Sequence, residues 1–142
     1  GHLRPMSGAR SGIEVYGDQR GAAFADFDGD GRTDLAVSQN GAATRLFWNR
    51  GAKPGLRVRL RGEASNPDGI GAQMRVVYGN AMGPVREVQA SSGYWSQNGA
   101  VQVLGLSRTP TAVWVRWPGG AVTRTAVPSG ARELTITRST SP

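Results

Sequence analysis

The sequence predicts an all-β protein built from two modules. Three observations carry that reading: short runs in which apolar and polar residues alternate, glycine-rich turns between those runs, and a change of pattern near Pro54. No segment offers a convincing amphipathic helix. The 142 residues match one ordinary domain or two small modules sharing a core. No apolar run approaches the roughly 18 residues that a membrane span needs, and no secretory leader pattern opens the chain. Gly1-His2 reads as the scar of a cleaved tag, so the missing leader carries no information.

The first module is expected over residues 1–53, where AAFADF, DLAVSQ and TRLFWN form three compact strands. The second and third join across Asn40-Gly41, and an acidic loop separates the first two. GAKPG, residues 51–55, reads as a linker. About 50 residues bury too little apolar surface to be comfortably stable alone. This piece must therefore lean on the second module, on a metal, or on further chain.

The second module is expected over residues 54–142. LRVRLRG puts Leu56, Val58 and Leu60 on one face and Arg57, Arg59 and Arg61 on the other, because strand side chains alternate. AQMRVVY turns Ala72, Met74, Val76 and Tyr78 inward. VREVQA, AVQVLGL, TAVWVRW, AVTRTAV and RELTIT complete a seven-stranded antiparallel β-sandwich or barrel-like module. Asn98-Gly99 and Pro118-Gly119-Gly120 read as hairpin turns, since their residues tolerate positive φ. Trp114 and Trp117 fall on opposite faces of one strand, which makes at least one of them core.

Composition narrows the chemistry. With no cysteine there are no disulfides, thiolate zinc sites or cysteine nucleophiles. No pair of carboxylates outside the acidic loop stands at a recognisable catalytic spacing, so no enzyme is expected. The formal charge is +7, with sixteen arginines and one lysine, and four of the ten acids sit in a single loop. An arginine-biased surface explains the excess; a polyanion site on the face of Arg57, Arg59 and Arg61 is the alternative. No RNP-type aromatics, helix-turn-helix or zinc spacing supports nucleic acid as a partner.

The loop ADFDGDGRTDL sets Asp26, Asp28, Asp30, Gly31 and Asp34 at positions 1, 3, 5, 6 and 9 of a calcium loop of the EF-hand kind. Calcium takes six to eight oxygens. Here the four carboxylates and the backbone carbonyl of Arg32 supply five, and water the rest. Position 12 is Val37 rather than a bidentate glutamate, and strand-like residues flank the loop, so this is not a helix–loop–helix sensor.

FADFDGDGRTDLAVSQNGAATRLFWNRG resembles an FG-GAP (VCBS-type) repeat, the calcium-loop blade of propellers. LRVRLRG, SNPDGIGAQMRVVYG, REVQASSGYWSQN and VWVRWPGG resemble, in that order, the ASPIC/UnbV domain of the cartilage acidic protein and UnbV-like family. Pro67-Asp68-Gly69 departs from the Arg-Asp-Ala-like stretch expected there. The resemblance implies a propeller-blade fragment packed on or linked to the β module. It also implies a non-catalytic, calcium-binding interaction or adhesion module of secreted, cell-surface or periplasmic proteins, at the C-terminal end of something longer. The partner would be a protein or glycan at the cell surface, and an open blade would be capped by the ASPIC/UnbV module, by a second copy or by upstream blades. Tyr94-Trp95, beside Gln97 and Asn98, reads either as packing or as an aromatic platform for a carbohydrate.

Overall fold

The computed structural model describes residues 3–139 and is almost entirely strand and loop. Gly1-His2 and the ends of both expected modules lie outside the described residues. A single helical turn, α1 (Gly8–Ser11), precedes an antiparallel meander of β1 (Asp18–Ala25), β2 (Asp34–Asn40) and β3 (Ala42–Phe47). Gly41 makes the β2–β3 turn with φ 67°, a conformation glycine adopts without steric cost. These are the three strands expected of the first module. Among the described residues, Val37 is its one buried apolar side chain.

The remaining strands are β4 (Leu56–Arg61), β5 (Gln73–Tyr78), β6 (Ala81–Met82), β7 (Arg86–Glu87), β8 (Gln102–Leu104), β9 (Ala112–Arg116), β10 (Val122–Ala126) and β11 (Glu133–Thr137). One sheet runs β10-β9-β5-β6, with β7 also on β5; the other runs β11-β4-β8. Neither closes into a barrel. Leu56, Val58 and Leu60 of β4 and Ile136 of β11 share one core with Met74 and Val76 of β5, Val113 and Val115 of β9, and Trp117. Each such side chain contributes about 2 kcal/mol on burial. Trp117 satisfies its indole by donating from Nε1 to Thr123 Oγ1 at 2.9 Å, while Trp114 is only half buried.

Three expectations are corrected. The β4–β11 pair is parallel, Glu133 lying opposite Arg57, so the module is not wholly antiparallel. VREVQA yields only the two residues of β7, paired with β5. Asn98-Gly99 is therefore not a hairpin turn. It turns instead to the open edge of β1, where Ala22 N–H donates to Ser96 Oγ, Phe24 N–H to Asn98 Oδ1, and Gly99 N–H to Phe24 O, each at 2.9 Å. Gly21 has to be glycine for this approach, because a Cβ there would collide with the carbonyl of Trp95. By contrast Pro118-Gly119-Gly120 does connect β9 to β10, with Gly120 N–H donating to Trp117 O at 2.9 Å.

GAKPG is no free tether. Gly55 is buried and its N–H donates to Gly31 O at 2.7 Å, fixing the acidic loop to the start of β4.

Candidate metal centre

The acidic loop runs from the end of β1 to the start of β2. Asp34, 2% exposed, takes two backbone donors: Phe27 N–H on Oδ2 at 3.0 Å and Asn49 N–H on Oδ1 at 2.8 Å. Such charge-assisted bonds let a carboxylate be buried. Asp26 has a side chain 1% exposed, and its Oδ2 accepts Gly31 N–H at 2.9 Å. Asp28 accepts from Asp30 N–H at 3.3 Å and meets Arg50 Nη1 at 3.3 Å. Gly31 is needed for its φ of 81° and for space, since a Cβ would stand 3.1 Å from Gly55 O.

One oxygen each from Asp26, Asp28 and Asp34 falls within 4.8 Å of the others. Two unit charges so placed repel by about 3 kcal/mol at an effective dielectric near 20. Asp26 Oδ1 is buried and has no hydrogen-bond partner. Leaving a buried acceptor unsatisfied costs about 1–3 kcal/mol, more when it is charged. A cation would satisfy that oxygen and offset the repulsion, and an all-oxygen donor set suits calcium. The residues fit the ion.

Asp30 stands outside this trio. Its Oδ1 accepts Arg32 N–H at 2.9 Å, and its Oδ2 pairs with Arg32 Nη1 at 2.6 Å and Arg50 Nη1 at 3.9 Å. Desolvation works against its charge, but the hydrogen bonds and charge of Arg32, with Arg50 adding, hold its carboxyl below the ordinary value. Arg32 also donates from Nε to Ala52 O at 2.7 Å.

Two further arginines reach the loop, contacts that the sequence pattern does not disclose. Arg50 follows β3. Arg57 faces outward by strand alternation, yet its side chain is only 20% exposed and its Nε lies 2.8 Å from Asp26 Oδ2, while Nη1 bonds Glu133 Oε2. Strand alternation gave its face but not its neighbour. Arg59 and Arg61 are exposed and make no ion pair among the described residues. Tyr94 and Trp95 stand on a separate loop, 71% and 80% exposed, with ring centroids 5.9 Å apart.

Blade, carboxylate-lined loop and β-sandwich together define a modular all-β protein with an acidic loop at the junction of its parts. The chain belongs to the ASPIC and UnbV family, which it matches over residues 62–142, more than half its length. Residues 20–46, with all four loop aspartates, match an FG-GAP repeat. Among curated proteins none matches the chain. Arg57 lies between the two matched segments. FG-GAP domains are typically extracellular, and among the described residues no helix is long and apolar enough to cross a membrane.

Proposed function

We propose that this chain is a non-catalytic, calcium-binding interaction module of a secreted or surface-exposed protein. The observation that carries the reading is the buried, unpartnered Asp26 Oδ1 beside the carboxylates of Asp28 and Asp34. Asp26, Asp28 and Asp34 would hold the ion, with Asp30 and the Arg32 carbonyl as further oxygens. Calcium would supply charge neutralisation that the loop's own donors provide only in part. Its role is structural, since the loop braces β1, β2 and the start of β4. A catalytic role finds no support in the glutamates of the second module: Glu63 pairs with Arg138, Glu87 with Gln73 and Glu133 with Arg57. The blade leaves Phe24, Leu46 and Trp48 exposed, a surface suited to a neighbouring blade or a second copy. The test is calcium titration of chelator-stripped protein followed by melting. A midpoint that does not move with millimolar calcium overturns the reading.

A carbohydrate or acidic-polymer module is the second reading, favoured by the adjacent, exposed rings of Tyr94 and Trp95. Its arginine component is smaller than the sequence suggested, because Arg57 is engaged by two carboxylates. Salt separates the two contributions: binding by Arg59 and Arg61 weakens steeply with ionic strength, whereas stacking on aromatic rings does not.

A further inference from the structure

We infer that Arg57, carried by the second module, sets the cation affinity of the loop in the first by competing with the ion for the charge of Asp26. The inference rests on the calcium reading above. Arg57 Nε approaches Asp26 Oδ2 to 2.8 Å, but without the alignment of a hydrogen bond. Oδ2 is already held by Gly31 N–H. The contact is therefore charge against charge rather than a directional anchor. A guanidinium does not deprotonate in proteins, so its charge is permanent. On the other side, Glu133 of β11 lies in register with Arg57 of β4 and bonds its Nη1. Arg57 thus sits between two carboxylates, one in the loop and one in its own module.

In the metal-free protein this arrangement neutralises Asp26 and relieves repulsion among the three clustered carboxylates. Once a cation is bound, two positive charges act on the same carboxylate, and Arg57 weakens binding. Glu133 has the opposite influence, because it draws on the Arg57 charge and so makes the cation more welcome. A residue that merely positioned Asp26 would behave differently, since its removal would loosen a ligand and weaken binding.

The test uses the full chain, stripped with chelator, and reads calcium affinity by calorimetric titration together with the metal-free melting midpoint. Arg57→Gln is expected to bind calcium about tenfold tighter while melting lower without metal. Glu133→Gln is expected to bind several-fold more weakly, and Arg57→Lys, which keeps the charge, to stay within about twofold of the parent. Arg57→Gln binding equally or more weakly than the parent, or shifting affinity in the same direction as Glu133→Gln, overturns the inference. Should Arg57→Gln fail to fold, the other two variants decide it by the same signs. A parent that binds no calcium removes the calcium reading itself and the competition with it. A calcium-binding parent matched by Arg57→Gln removes the competition alone.

Discussion

At the scale of single residues, the loop aspartates divide by what holds them without metal. Asp34 is buried and accepts from two backbone N–H groups, so Asp34→Asn, whose amide nitrogen faces a donor, is expected to cost about 2 kcal/mol even in chelator. Asp28 is exposed and weakly bonded, so Asp28→Ala leaves the metal-free midpoint within about 2 °C and removes most of the calcium response. Paired melts of both variants, with and without calcium, check the division; similar metal-free losses would refute it. Trp95 poses a separate question. Its φ of 52° is one that a bulky side chain adopts at a cost of about 1–2 kcal/mol, and it packs little. Trp95→Gly is therefore expected to be at least as stable as the parent by urea unfolding, whereas a packed tryptophan would cost about 3 kcal/mol or more. The carboxylate cluster is legible because its members lie close together along the chain. The Arg57 contact is not, because strand alternation names a face without naming what covers it.

At the scale of elements, local pattern identified most strands and their inward faces, as with Leu56, Val58 and Leu60. It could not say which strands pair or in which direction. RELTIT has the same alternation in a parallel pair as in an antiparallel one, and it lies parallel to β4. Asn98-Gly99 has turn chemistry, but Asn98 uses its carboxamide on another module's edge, where Phe24 N–H would otherwise face water. That strap closes β1 where a blade would continue, and leaves β3 as the open side. Asn98→Ala is expected to lower stability by about 1 kcal/mol, since water replaces part of the lost bond. It should also speed amide exchange at Phe24 more than at Leu35 on β2. Hydrogen exchange read residue by residue checks this, and unchanged exchange at Phe24 would show that the strap does not protect the edge.

At the scale of the whole molecule, stability and metal are linked through the junction. The first module has a small core of its own and leans on β4 through the Gly55–Gly31 bond, on the Ser96–Gly99 strap, and on the Arg57–Asp26 pair. Any cation that binds only the folded loop stabilises all of it by mass action. For a dissociation constant near 10⁻⁴ M, the range typical of extracellular modules, millimolar calcium adds about 1–2 kcal/mol. In a chain of 142 residues that raises the melting midpoint by about 3–7 °C. Micromolar calcium leaves the midpoint where chelator puts it. The sign with pH follows from the carboxylates: each must give up its proton to hold calcium, so binding weakens as pH falls. The calcium increment is therefore expected to be larger at pH 7 than at pH 4. Melting curves at pH 7 and pH 4, each with chelator and with millimolar calcium, measure it directly. An increment that persists undiminished at pH 4, or that survives in Asp28→Ala, would mean the ion acts somewhere other than this loop.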